Sequence, residues 1–321
     1  MPVKSVKVVE LFGGIGAIRK AFIKAKIPYE VLDYVEIDKN AVKSYNALYN
    51  EKYEPQSVCD YHLPKEHIDV LMHGSPCQDF SRIGEKKGGE KGSGTRSSLL
   101  FETIRIIEEA NEKPEWVIWE NVKGVLDKNM RDSFFYYIEE MERLGYETKY
   151  KILNAMDFGV PQKRERIFAV SHYGKNPFSF EDLQKKKTPK LNNFLEKDVM
   201  NRYGDIFLVK QPSMLKMLED PNSKPNFQGR LKIIKDFCYT ISTKQMRIPN
   251  AGILPIGGGK YRYLTERECW KLMGFADEDV DKALKVHPRR KGCTSSILYK
   301  QAGNSIVVNV LEAIVKELVV P

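Results

Sequence analysis

Apolar residues gather in short runs through the first half of the chain, and these runs alternate with longer stretches where apolar positions recur every three or four residues. The runs at 7–12 (KVVELF), 29–37 (YEVLDYVEI), 68–73 (IDVLMH) and 115–120 (EWVIWE) are rich in valine, isoleucine and aromatic residues, the composition of buried strands. Residues 17–26, 39–49, 99–112 (LLFETIRIIEEANE) and 132–145 (DSFFYYIEEMERLG) carry the spacing of amphipathic helices. This alternation predicts an α/β fold, a doubly wound, mostly parallel sheet with helices on both faces. Ligands of such sheets collect at the carboxyl ends of the strands, so the residues just after each run are where chemistry is expected.

Beyond about residue 171 the periodicity weakens, and segments such as NPFSFEDLQKKKTPKLNNF and EDPNSKPNFQGR are rich in Lys, Asn and Pro. The expected organisation is a large first domain over residues 1–174 and a smaller, loop-rich second domain over 175–295. The last stretch, NSIVVNVLEAIVKELVV, is again apolar-periodic, so residues 296–321 are expected to return and complete the first domain. There is no internal repeat, and low complexity is confined to short patches such as EKKGGEKGSG.

With 321 residues, 42% of them hydrophobic, the chain can bury a sizeable core. No run approaches the eighteen or so apolar residues of a membrane helix, and the first residues lack the layout of a signal peptide, so a cytoplasmic location is expected. Lys and Arg total 52 against 43 Asp and Glu, a net charge of +9. That balance favours a polyanionic partner without singling one out. The five cysteines are odd in number and show no C-x-x-C spacing, so free thiols are expected, with neither a disulfide framework nor a zinc site.

Four strand ends carry candidate chemistry. After the first run, Gly13, Gly14 and Gly16 open the way to backbone N–H groups at a helix mouth, a place for a nucleotide-like cofactor. The dinucleotide fingerprint G-x-G-x-x-G fails, because Arg19 stands where its last glycine belongs. Glu36, at the end of the second run, is placed to accept hydrogen bonds from ribose hydroxyls, the alternative being a solvated acid. Cys77 follows Pro76 after the third run, near Arg82 and Arg96, where a thiolate nucleophile could form; a half-buried structural thiol is the bland reading. His73 invites a Cys–His hydrolase reading that nothing else in the chain supports. Glu120 ends the fourth run between tryptophans, where desolvation would raise its pKa toward that of a proton donor near neutrality. Farther on, VPQKRERIFAV would place Gln162, Arg164 and Arg166 on one face of a strand, a row of donors for phosphate or base-edge oxygens or else a solvated basic edge.

Taken in order, these motifs resemble the cytosine-5 DNA methyltransferase family through nearly the whole chain. ELFGGIG resembles the family's first S-adenosylmethionine loop, EID (36–38) its ribose-binding acid and Cys59-Asp60 the acid near the adenine amino group. GSPCQDFS resembles the nucleophile loop, GTRSSLLFE (94–102) the segment after it, and ENV (120–122) the base-protonating carboxylate. QKRER (162–166) resembles the arginine strand, RYLTERECWKLMGF (262–275) the scaffold helix, and QAGNSIVVNV (301–310) the closing motif. Departures are small: Glu10 stands where an aspartate is usual, and Gly74-Ser75 precedes Pro76.

The resemblance implies methyl transfer from S-adenosylmethionine to C5 of a cytosine flipped out of duplex DNA, with no metal required. Catalytic roles fall to Cys77, Glu120, Arg164 and Arg166. The cofactor would be held by Phe12, Gly14, Ile15, Gly16, Glu36, Ile37, Asp60, Pro76, Leu100, Asn304 and Ser305. DNA contacts would come from Ser81 and Gln162, and in the variable segment from Gln228, Arg230, Thr240, Lys244, Gln245 and Arg247, where Thr240-Ile241 resembles the family's short recognition signature. A cognate restriction endonuclease would act on the same site without direct contact, and monomeric action at the nucleoid is expected. Rival readings are a transfer-RNA cytosine-5 methyltransferase on the same motifs, a catalytically dead DNA-binding relative, and an NAD-dependent oxidoreductase, which Arg19 opposes.

Overall fold

The computed structural model describes residues 5–75, 98–128, 130–219, 231–247 and 249–318. Its centre is a six-stranded sheet built from β1 (Val6–Leu11), β2 (Tyr29–Val35), β3 (Val70–His73), β4 (Trp116–Val122), β5 (Tyr146–Asn154) and β7 (Glu165–Tyr173), in the order β2-β1-β3-β4-β7-β5. The first four strands pair in parallel, while β7 runs antiparallel between β4 and β5. The α/β expectation therefore holds. β5 does not stand out in the sequence pattern, because an edge strand buries little and its residues alternate only loosely between core and solvent.

Alternation along the strands sends side chains to opposite faces, and both faces are covered. Val8, Val70, Met72 and Ile118 point into one apolar layer with Ile18 and Phe22 of α1 (Ala17–Ala25) and with Leu311 and Ile314 of α10 (Val308–Leu318). Val9, Leu71, Val117 and Trp119 point into the other, with Ile104 and Ile107 of α3 (Ser98–Glu108) and with Phe134, Tyr137 and Met141 of α4 (Arg131–Arg143). Each fully buried side chain of this kind contributes about 1.5–3 kcal/mol. α3 ends four residues before the predicted helix does, where a turn leads into Pro114.

The C-terminal helix α10 packs on α1. The first apolar layer does not stop near residue 174, however: Phe178, Leu183, Leu191, Ile234, Ile241 and Trp270 belong to it. Part of the 175–295 segment is thus cored on the main sheet. α8 (Asp277–Val286) packs on α2 (Lys39–Tyr49), with Lys282 Nζ donating to the Leu48 carbonyl at 2.8 Å. A small separate cluster, Val209, Met214, Ile253 and Tyr263, gives the remainder of the segment a core of its own. Among the described residues, no helix is long and apolar enough to cross a membrane.

Candidate active site

The strand order reverses between β1 and β3, and the crevice at such a switch point is where these sheets bind ligands. β1 ends at Leu11, and Phe12 (φ 54°), Gly14 (φ 56°) and Gly16 (φ 76°) all take left-handed backbone conformations before α1 begins. In Phe12 that conformation costs about 1 kcal/mol or more, a strain concentrated at the crevice mouth. Position 16 requires glycine twice over, since a Cβ there would lie 2.5 Å from Tyr49 Cε2 and 2.7 Å from Tyr45 Cε2. The resulting cleft has a volume of about 310 Å³.

Phe12, Gly14, Ile15, Glu36, Asn304 and Ser305 line this cleft, so residues from both ends of the chain meet there. Gly16 shapes the loop from behind rather than lining it. Ile37 is 71% exposed beside Glu36, Asp60 is exposed, and Leu100 is buried in the second apolar layer; none of the three lines the cleft. Arg105, on the helix that carries Leu100, holds the turn at Asp60 by donating to the carbonyls of Val58, Cys59 and Tyr61. Glu10, Asp38, Lys300 and Gln301 also line the cleft. Glu10, Asp38 and Gln301 fall within the family-like motifs without being singled out for the cofactor, and Lys300 lies outside them.

The cleft is acidic. Glu10, Glu36, Asp38 and Glu120 line it against a single cation among the described residues, Lys300, which pairs with Asp38 at 2.6 Å. Glu36 accepts from the Gly14 N–H at 3.1 Å and from the Asp38 N–H at 2.8 Å, and burial raises its pKa. Glu10 is wholly buried: one oxygen accepts from the Tyr45 hydroxyl at 2.8 Å, the other has no hydrogen-bond partner among the described residues, and burial pushes its pKa up to about 7. Such a lining suits a cationic ligand and repels a pyrophosphate, which disfavours a dinucleotide. Arg19 does not face the cleft chemistry at all; it donates to the hydroxyls of Tyr29 and Tyr45 and pairs with Glu51 at 2.8 Å behind the loop.

At the carboxyl end of β4, Glu120 lines the same cleft and lies 3.2 Å from Arg166 Nε, close enough for an ion pair but without hydrogen-bond alignment. Burial raises the Glu120 pKa, against the opposing fields of Arg166 and Arg164, and lowers that of Arg166. Desolvation thus outweighs attraction across the pair, the condition for a carboxyl group that keeps its proton above the usual range. Next door, the Ser75 carbonyl accepts from Trp119 Nε1 at 3.2 Å and Asn121 Nδ2 at 3.1 Å. Asn121 thereby holds the backbone at Ser75, two residues past β3, a role the sequence did not suggest. His73 contacts Ser75 Oγ at 3.1 Å and the Tyr137 hydroxyl at 3.0 Å, is fully buried, and has its pKa lowered to about 3 by burial. A core histidine with both nitrogens engaged leaves no basis for the Cys–His hydrolase reading. Pro76, Cys77 and Ser81 lie outside the described residues.

Arg166 also lines a second, open cleft of about 480 Å³ together with Lys123, Lys163, Lys232, Tyr239 and Thr240. Among the described residues, four cations there face one carboxylate, Glu165, and Lys232 Nζ sits 3.8 Å from the centre of the Tyr239 ring. The expected row Gln162, Arg164, Arg166 is not one strand face. Gln162 and Lys163 form β6, which pairs with β8 (Cys238–Tyr239), and the chain bends at Arg164 before entering β7. Gln162 is fully buried; its amide donates to the Leu272 carbonyl at 2.8 Å and accepts from the Ile241 N–H at 3.1 Å. Arg164 is likewise buried and donates to the carbonyls of Ile241, Gly303 and Ser305 at 3.0, 3.1 and 2.8 Å, so it ties the 175–295 segment to the acidic cleft. Burial lowers its pKa to about 9. Gly303 is needed at that junction, where a Cβ would run into the backbone of Ser242 and Thr243.

Of the candidates for base contact, Thr240 lines the basic cleft and donates to the Lys163 carbonyl at 3.1 Å. Lys244 and Arg247 are exposed. Gln245 is fully buried beneath them, accepting from the Ala251 N–H at 3.4 Å, so like Gln162 it supports the local fold and does not face a ligand. Gln228 and Arg230 lie outside the described residues. Among the described cysteines, Cys59, Cys238, Cys269 and Cys293 are free thiols.

Known proteins with a similar sequence or fold point the same way. The sequence profile of C-5 cytosine-specific DNA methylases matches residues 6–320. The chain is 32% identical to the type II methyltransferase M2.ScrFI of Lactococcus lactis subsp. cremoris, over 98% of this chain and 99% of that protein. It is also 32% identical to the type II methyltransferase M.HhaI of Haemophilus parahaemolyticus, over 96% of this chain and 93% of that one. Its fold is similar to the crystal structure of S. pombe Dnmt2 methyltransferase, with a TM-score of 0.75, 20% identity and 98% of each chain covered.

Proposed function

The chain belongs to the C-5 cytosine-specific DNA methylase family, and we propose, from that membership and the geometry of the two clefts, how its residues divide the work. It is a DNA (cytosine-5) methyltransferase, and family and fold imply dependence on S-adenosylmethionine. The observation that carries the assignment of roles is the Glu120–Arg166 pair, because Glu120 lines the acidic cleft while Arg166 lines the basic one.

The acidic cleft fits a cationic cofactor: Glu10 offers a buried oxygen without a partner among the described residues, and Glu36 and Asp38 stand at the end of the second strand. Phe12, Ile15, Glu36, Asn304 and Ser305 would hold it, with Glu10 facing its positive charge. Bound there, S-adenosylmethionine supplies an electrophilic sulfonium methyl group.

DNA lies across the basic cleft, where Lys123, Lys163 and Lys232 contact phosphates, and the target cytosine is flipped out toward Glu120. Cytosine C5 is a weak carbon nucleophile and needs electron density pushed into the ring. The Cys77 thiolate forms a bond to C6 while Glu120 delivers its proton to N3, leaving an enamine with a nucleophilic C5. Arg166 holds the base near Glu120 and tempers the carboxyl's pKa. After methylation, a base removes the C5 proton, the C6–S electrons return to the thiolate as the C5–C6 double bond re-forms, N3 gives its proton back to Glu120, and 5-methylcytosine is released. Arg164 acts one step back, as a positioning residue that fixes Ile241 and Ser305 relative to each other.

The type II names of the relatives favour a companion restriction endonuclease at the same DNA site, and one flipped base per site suits a monomer. The test is transfer of labelled methyl groups to unmethylated duplex DNA and, in parallel, to unmodified transfer RNA, followed by bisulfite sequencing. Label in DNA that vanishes with Cys77→Ser is expected. Label in RNA alone, or label retained by Cys77→Ser, would overturn these roles.

A further inference from the structure

At the edge of the sheet opposite the active site, His67, Asp69 and Glu115 bring one ligand atom each to within 4.8 Å of one another. His67 and Asp69 immediately precede β3, and Glu115 immediately precedes β4. The parallel ladder fixes them side by side, since the Glu115 N–H donates to the Ile68 carbonyl and the Trp116 N–H to the Asp69 carbonyl, both at 2.9 Å. His67 Nε2 lies 3.2 Å from Asp69 Oδ1 and 3.8 Å from Glu115 Oε2. Ligands about 2.1 Å from a tetrahedral divalent ion stand roughly 3.4 Å apart, and the two separations from His67 Nε2 bracket that value.

Two further residues complete the arrangement. Glu112 sits 2.5 Å from His67 Nδ1. With Nε2 on an ion, the Glu112 carboxylate would hold the remaining ring proton on Nδ1, the support that metal-binding imidazoles usually receive. His172, on β7, lies 3.8 Å from the other Glu115 oxygen, and its Nδ1 is buried with no hydrogen-bond partner among the described residues. A recess of about 210 Å³, lined in part by Asp69 and Glu115, adjoins the group and leaves room for water to fill remaining coordination positions.

We infer that His67, Asp69 and Glu115 form a binding site for one divalent transition-metal ion of the zinc and cobalt class, oriented by Glu112. One imidazole and two carboxylates offset the charge of a divalent ion, and this mixed donor set suits zinc, cobalt or nickel better than calcium. The site stands about 16 Å along β4 from Glu120, so the ion takes no part in methyl transfer. It clamps the amino ends of β3 and β4. The inference is independent of the proposed methyl-transfer function.

The test titrates Zn²⁺ into the full chain by calorimetry and Co²⁺ by visible absorption, with Tm recorded at each step. One equivalent is expected to bind, to raise Tm, and to show d–d bands without a thiolate charge-transfer band. Asp69→Asn and His67→Ala should abolish binding, and Glu112→Gln, which leaves all three ligands in place, should weaken it about tenfold or more. Failure to bind would overturn the inference and reduce the group to an ion-pair network. Binding that survives in His67→Ala, a thiolate band that assigns the ion to a cysteine, or an affinity unmoved by Glu112→Gln would each overturn it as well.

Discussion

Replacing Glu10 by Gln tests whether the acidic cleft stores electrostatic strain. Glu10 is fully buried, accepts one hydrogen bond from Tyr45, and has a second oxygen without a partner among the described residues. Burial raises its pKa from the ordinary 4.5 to about 7, so between those values the unfolded chain gives up a proton that the folded chain keeps. The folded pKa of this acid is raised. Its full favourable contribution is therefore present below pH 4.5 and is lost as pH rises through 7. At 1.36 kcal/mol per unit, the shift makes the cofactor-free protein less stable by about 3 kcal/mol above pH 7 than it would be with a neutral group there. Gln mimics the protonated carboxyl, keeps an oxygen for Tyr45 and cannot ionise. Urea denaturation of wild type and Glu10→Gln at pH 5, 6, 7 and 8 should give the variant an advantage of about 1 kcal/mol at pH 5 that grows to about 3 kcal/mol by pH 7 and then levels off. Other titrating groups cancel in the difference. Two stability curves that run parallel from pH 5 to 8 would refute the reasoning, because Glu10 would then titrate as an ordinary carboxyl.

Three more outcomes follow from the geometry. Glu120→Gln should lower kcat by about 10²- to 10⁴-fold in a methyl-transfer assay while DNA binding, followed by fluorescence anisotropy, changes little; wild-type kcat should fall as pH rises through the raised Glu120 pKa, and the variant should lose that dependence. Arg164→Met strands the carbonyls of Ile241, Gly303 and Ser305 and should destabilise the protein by about 3–5 kcal/mol in urea titrations, a loss too large for a solvated surface arginine. Lys163→Ala and Lys232→Ala should each weaken DNA binding for all sequences alike and reduce the slope of log affinity against log salt by about 1, whereas an unchanged slope would remove that lysine from the phosphate path.

The sequence by itself determined the alternating strands and helices, the glycine loop, the failed dinucleotide fingerprint and the family motifs, because each is written in neighbouring residues. Period-two alternation in β1, β3 and β4 was enough to imply a sheet covered on both faces, and that is how Val8 and Val9 divide between two layers. What depended on distant residues was decided by the tertiary structure alone. Gln162 and Arg164 looked like ligand-facing donors in a basic string, yet β6 leaves the sheet to pair with β8 and turns both inward, where burial makes hydrogen bonds to the chain's own backbone obligatory. Gln245 is buried among exposed basic neighbours for the same reason. Lys300 and Gln301 reach the acidic cleft only because the C-terminal segment returns to the sheet, and Lys123 and Lys232 meet only across the open cleft. A linear sequence records residue type and local period. Which charged groups face one another, and which must satisfy the backbone instead, is set by burial, and burial is fixed only when the chain has closed on itself.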